Sequence, residues 1–299
     1  MRKYAIPNMR LGATSFLLHE TYVPAVRFAA ERCDDVALLL VEPGEHSEYL
    51  ATPGEIAEIG RIIAGESATL HVHLPTDADF DTWQGARSMI GKIRRVAELT
   101  GPLDPHSFVL HVDFPSLHGT GGEPSAEQQE WTAEALREIA ACLPAPERLA
   151  VENLETYAPS FWDRWLAGTP YSRCLDVGHI WKDGGDPAPV LAAWLPRVRV
   201  IHLHGLEPRG SEADAAKPQG QQKAPEKLAE RNLSRLFGPR PRDHKSLRLM
   251  PPEFVDDVMH PLWKTGFSGV LNLEVFSVED FTASHAVLMH SWERYAASS

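Results

Sequence analysis

The stretch Arg173–Trp181, R-C-L-D-V-G-H-I-W, begins as a buried strand and ends in a carboxylate, Asp176, followed three positions later by an imidazole, His179. With the strand ending at about Asp176 and the chain turning at Gly178, both side chains reach one mouth of the fold. Carboxylate and neutral imidazole are hard-to-borderline donors, suited to Zn²⁺, Mn²⁺ or Fe²⁺. D-x-x-H alone proves no site. Its weight comes from its company, because nearly every other strand-like run in the chain also ends in His or Glu.

Outward from this stretch, short β-rich runs alternate with amphipathic helical ones. Strands are expected over Met9–Thr14, Val36–Val41, Thr69–Leu74, Ser107–Val112 and Arg148–Leu154, then over Arg197–His204 and Gly269–Val275. The run V-A-L-L-L-V (36–41) is apolar throughout, as a parallel strand covered on both faces must be. Between them lie helical patterns at Tyr22–Cys33, Thr82–Leu99, Ser160–Leu166, Pro187–Trp194 and Phe281–Ala296. Two more open on capping boxes, T-P-G-E (52–55) and S-A-E-Q (125–128), and run to Ala64 and about Cys142. Eight strands alternating with helices predict one α/β domain spanning 1–299, a closed (β/α)8 TIM barrel. The rival is a doubly wound open sheet, and the first strand is followed by neither G-x-G-x-x-G nor a Walker loop. Glu207–Arg242, rich in Gly, Pro, Gln, Lys and Glu, is an insertion at the catalytic face. It reads as a lid, with Pro225–Leu236 helical, or equally as a disordered polar loop.

In such a barrel the C-terminal strand ends converge on one site. Strand two delivers Glu42, strand three His73 with His71 on the same face, and strand four His111. Strand five delivers Glu152, strand six Asp176 with His179, strand seven His202 with His204, and strand eight Glu274. Each follows an apolar run, where an unpaired charge is expensive to desolvate. A single strand-end His is more often a satisfied structural group than a ligand; six consecutive strands ending so point to two or three divalent ions, with Glu152 placed to bridge. Clusters of this kind hydrolyse phosphoesters or, in other barrels, isomerise sugars, and spacing does not separate the two.

The chain has 299 residues with Lys+Arg 29, Asp+Glu 41 and net charge −12. That balance disfavours a nucleic-acid partner, which needs a row of cations. Lys92-Ile93-Arg94-Arg95 reads as a solvated helix face and Arg240-Pro241-Arg242 is too short. Cys33, Cys142 and Cys174 lack metal-ligand spacing and read as buried thiols. The N-terminal M-R-K-Y-A-I-P-N has no apolar segment of a signal peptide, and no run is long enough to cross a membrane, so a cytoplasmic location is expected.

The ordered set V-H-L-P (72–75), L-H-V-D (110–113), V-E-N-L (151–154), L-D-V-G-H (175–179), I-H-L-H (201–204) and L-E-V-F (273–276) resembles the xylose-isomerase-like barrel superfamily that includes endonuclease IV. That resemblance puts His73, His111, Glu152, Asp176, His179, His202 and Glu274 on metal-ligand positions. His244, in R-D-H-K-S-L, falls on the loop His of a third metal site; the family's Asp two before it is Arg242 here, with Asp243 adjacent. R-L-G-A-T-S-F (10–16), H-L-H-G (202–205), D-H-K-S-L (243–247) and L-E-V-F-S-V-E-D-F (273–281) further resemble the cobamide-remodelling phosphodiesterases, CbiR. The implied reaction cuts the nucleotide-loop phosphodiester of a cobamide, giving a cobinamide phosphate and an α-riboside. The expected catalytic residues are Glu42, His179 and His244, and those on the substrate side Asp113, Trp181, His204 and Asp243. Asp113 and His204 would orient ligand imidazoles, and Trp83, Tyr157, Trp162, Trp165 and Trp181 would either flank a macrocycle or pack helices. A sugar isomerase, a DNA-repair endonuclease and a non-catalytic corrinoid carrier are the competing readings.

Overall fold

In the computed structural model, which describes residues 4–40, 50–208, 237 and 241–298, the eight apolar runs are parallel strands that close on themselves. They are β1 (Arg10–Thr14), β2 (Asp35–Leu39), β3 (Thr69–His73), β4 (Phe108–His111), β5 (Leu149–Glu152), β6 (Ser172–Asp176), β7 (Val198–Leu203) and, after a ribbon described below, β10 (Val270–Leu273). The order around the barrel is β1-β10-β7-β6-β5-β4-β3-β2, so β1 seals the ring against β10. Helices α1 (Tyr22–Ala30), α2 (Pro53–Glu66), α3 (Trp83–Thr100), α4 (Ala126–Ala141), α5 (Pro159–Leu166), α6 (Val177–Lys182), α7 (Pro187–Trp194), α8 (Pro252–Thr265) and α9 (Val278–Ser298) accompany them. The fold is the expected (β/α)8 barrel.

Alternation along each strand builds two separate cores. Outward residues such as Leu70, Val72 and Leu110 join the main core beneath the helices. Inward, Val109, Ala150, Cys174 and Val200 form their own cluster, one residue each from β4, β5, β6 and β7. Each precedes a donor by two positions (His111, Glu152, Asp176, His202), and side chains two apart on a strand share a face. These four donors therefore stand on a buried apolar layer, whereas beneath His73 and Glu274 the same positions are His71 and Asn272.

Both capping boxes form, Thr52 with Glu55 and Ser125 with Gln128. Four features depart from expectation. The chain does not turn at Gly178: Asp176 caps a short helix, α6, by accepting from the His179 N–H at 2.7 Å. Gly205–Glu207 (β8) and Arg242–Lys245 (β9) pair as an antiparallel ribbon that gathers the two ends of the insertion. Lys92 is not solvated but 8% exposed and paired with Asp77. Cys33 and Cys174 are buried as expected, whereas Cys142 is partly exposed. Glu42, the Pro225–Leu236 helix and most of the 207–242 insertion lie outside the described residues.

The last two helices carry a pH-dependent tie. Asp256 on α8 accepts from Arg294 Nε and Nη2 at 2.7 Å each and from the Ser291 hydroxyl on α9 at 2.5 Å. Burial pushes its carboxyl up, but these donors outweigh burial and hold it below its ordinary value. A carboxyl lowered by folding stabilises at neutral pH, and the contribution drains away as pH falls below about 4. Asp256→Asn should therefore narrow the gap in thermal stability between pH 7 and pH 3; an unchanged gap would show that the tie contributes nothing.

Candidate metal centre

Closing the barrel brings together donors that are far apart in sequence. Glu152 ends β5 and is fully buried. Its Oε2 lies 3.1 Å from His111 Nε2 and 3.3 Å from His73 Nε2, while Oε1 lies 3.1 Å from His202 Nδ1. One carboxylate thus faces two donor groups at once. On the second side, His202 Nδ1 is also 3.0 Å from Glu274 Oε2 and 3.9 Å from Asp176 Oδ2. His73 Nδ1 donates to the Leu74 carbonyl at 2.9 Å, which fixes the ring so that Nε2 points at Glu152, where it carries either a proton shared with the carboxylate or a lone pair for a metal.

A third group stands beside the second. His179, His204 and His244 bring ring nitrogens within 4.8 Å of one another. His179 Nδ1 bonds the Asn153 carbonyl at 2.9 Å, and its Nε2 lies 3.4 Å from Glu155 Oε2. Asn153 also grips the end of β6 from both directions, donating to the Asp176 carbonyl and accepting from the Asp176 N–H. His244 arrives on the ribbon in a left-handed conformation, φ 53°. For a residue with a Cβ that conformation costs roughly 1–2 kcal/mol. It turns the imidazole to within 3.6 Å of Glu274 Oε2.

The donor set fits divalent cations. Glu152, Asp176 and Glu274 are at most 4% exposed, and Asp176 Oδ2 and His202 Nε2 are buried without hydrogen-bond partners. So many buried carboxylates need compensating positive charge. Without metal, protons on the imidazoles supply it. Burial opposes charging of His202, but Cys174, Glu274 and Glu152 together outweigh burial and raise it well above its ordinary range. Burial likewise lowers His244, yet Asp243 and Glu274 bring it up to about 10. Glu152, which burial alone would raise, is held well below the carboxylate range by His202 and His111. An incoming metal displaces these protons, so affinity rises with pH.

The cavity above the donors has a volume of about 490 Å³ and is walled by His73, His111, Asp113, Glu152, His179, Asp243, His244 and Glu274 together with Phe276. Asp113 does not orient a ligand imidazole as expected. It accepts from Tyr157 Oη at 2.7 Å and from His118 Nε2 at 2.6 Å, because Tyr157 folds back under the same loop. His204 is fully buried, accepts the His244 N–H through Nδ1 at 3.1 Å and sits 3.4 Å from Asp176 Oδ1; it forms no part of the wall. Asp243 is on the wall but paired with Lys182, which also holds Glu155 at 2.8 Å. Trp181 is not on the substrate side. It is 1% exposed in the main core, as are Trp162 and, at 4%, Trp165, because each lies on the barrel-facing stripe of its helix. The aromatic ring that does face the mouth is Phe276, 37% exposed and stacked on His244 at 5.0 Å. His118 and Glu155 were also missed; Glu155 follows Glu152 by three in V-E-N-L-E and was visible as a second acid there.

No family model matches the chain, and no curated protein does. Solved structures do. A D-tagatose 3-epimerase-like protein is 17% identical with TM-score 0.66, covering 97% of this chain and 99% of its own. A xylose isomerase domain protein from Planctomyces limnophilus is 11% identical with TM-score 0.63, covering 96% and 98%. An L-ribulose 3-epimerase is 14% identical with TM-score 0.61, covering 97% and 98%. The likeness is one of fold. It extends over nearly the whole length of the chain, and at these identities it says nothing of substrate. No helix among the described residues is long and apolar enough to cross a membrane.

Proposed function

We propose that this chain is a metal-dependent phosphodiesterase acting on the nucleotide loop of cobamides. The observation that supports hydrolysis is Glu152, whose two oxygens face two different donor groups, His73 with His111 and His202 with Asp176 and Glu274. Divalent ions held there would polarise a phosphoryl oxygen and furnish hydroxide at neutral pH. The protein's own residues do the rest. His244 and His179 face the cavity where the phosphate's remaining oxygens would lie, and the layer beneath the donors is buried. A cavity of about 490 Å³ takes the phosphodiester and its ribose but not a corrin ring. The ring would rest across the mouth against Phe276. The cobamide assignment itself rests on the sequence resemblance.

A second reading, sugar epimerisation, is favoured by the epimerases among the structures of like fold. A single ion held by Glu152, Asp176, His202 and Glu274 would serve it. Incubation of protein supplied with Zn²⁺, Mn²⁺ or Fe²⁺ with adenosylcobalamin, followed by chromatography, should yield cobinamide phosphate. Parallel assays on D-tagatose, D-allulose and L-ribulose should show no epimer. Epimer without cobinamide phosphate reverses the order of the two readings, and corrinoid binding without turnover makes the chain a carrier.

A further inference from the structure

The opposite mouth of the barrel, where the strands begin, holds a second cavity of about 650 Å³. Arg10, the first residue of β1, and Arg199, at the start of β7, both line it. Arg10 Nη1 donates to Thr69 Oγ1 at 3.1 Å and Arg199 Nη1 donates to the His106 carbonyl at 3.0 Å. Neither guanidinium meets a carboxylate among the described residues, and no acid stands on the cavity wall. Two arginines without a carboxylate partner among the described residues thus face one recess.

The acid behind them is already committed. Asp35 accepts from Thr69 Oγ1 at 2.5 Å and pairs with His71 Nδ1 at 2.5 Å and His106 Nε2 at 2.9 Å. Its charge does not cancel two guanidiniums. Each arginine keeps N–H donors beyond the single bond that holds it, and a guanidinium fork matches a planar or tetrahedral oxyanion. The remaining wall is apolar and polar-neutral, with Leu195, Phe267 and the exposed Ser268.

We propose that this far mouth is a binding site for a small organic acid, one phosphate or carboxylate held between Arg10 and Arg199 with an apolar body against Phe267 and Leu195. The site is separate from the metal centre and does not depend on the reaction proposed there. Phenyl phosphate, benzoate and inorganic phosphate, titrated calorimetrically into the metal-loaded protein, are the probes. Phenyl phosphate and benzoate should bind more tightly than inorganic phosphate, since only they offer the apolar body. Ser268→Glu puts a negative charge on the wall without touching either arginine and should weaken phenyl phosphate by at least about tenfold, or 1.4 kcal/mol. Arg199→Ala should do the same. Glu152→Gln, which alters the metal centre, should leave this binding event in place. A titration identical in wild type and Ser268→Glu, or one abolished by Glu152→Gln alone, overturns the proposal. Retention by Ser268→Glu with loss in Arg199→Ala would assign the arginines to tying strand ends together, and would overturn it equally.

Discussion

Glu152→Ala is expected to lose bound metal and nearly all turnover while the barrel stays folded. The carboxylate serves His73 and His111 through one oxygen and His202 through the other, so its removal strips both groups of their common anion. The imidazoles that it helps keep charged then have less reason to be so, and the donor layer loses the negative charge that attracts a dication. If an ion polarising the phosphoryl oxygen supplies several kcal/mol, losing it corresponds to roughly a thousandfold in rate at 1.36 kcal/mol per decade. Folding should survive because the apolar floor of Val109, Ala150, Cys174 and Val200 remains. Metal analysis, turnover and far-ultraviolet circular dichroism on one preparation check it. Full metal content with full activity would remove Glu152 from the centre.

The second large effect is expected from a single methyl group. Gly178 lies in the first turn of α6, and a Cβ there would fall 2.0–2.4 Å from the His204 ring. Alanine normally gains about 1 kcal/mol over glycine within a helix. Here the clash wins, because His204 is fully buried and fastened by the His244 N–H. Overpacking of this kind costs about 1–3 kcal/mol. Gly178→Ala should lower the melting temperature and also displace His204 towards His244, weakening metal retention at His179 and His244. Unchanged melting and metal content would mean that the ring yields freely.

Much of this was legible from residue order. From β3 onward each barrel strand announced itself as an apolar run closed by an acid or imidazole, since parallel strands are covered on both faces and only their ends reach the site. Glu152, Asp176, His202 and Glu274 converge as expected for that reason. What escaped notice had no local signal. The β8–β9 ribbon joins residues separated by the whole insertion, and strands of three and four residues carry no usable periodicity. Helix α6 was hidden because Asp176 ends a strand and caps a helix at once. Trp181 was misplaced because an aromatic residue two after a strand-end His can face either way; the short helix turns it into the core. Tyr157 likewise spends its hydroxyl on Asp113 rather than on a ligand.

The ribbon has an evolutionary corollary. With Gly205–Glu207 zipped to Arg242–Lys245, the two ends of the insertion are held together at the rim, on the strand that carries His244. Closing a loop between fixed ends grows only logarithmically more costly as residues are added. The intervening polypeptide can therefore lengthen, shorten or be exchanged as a cassette, and new substrates can be tried at the rim without redesigning the scaffold beneath.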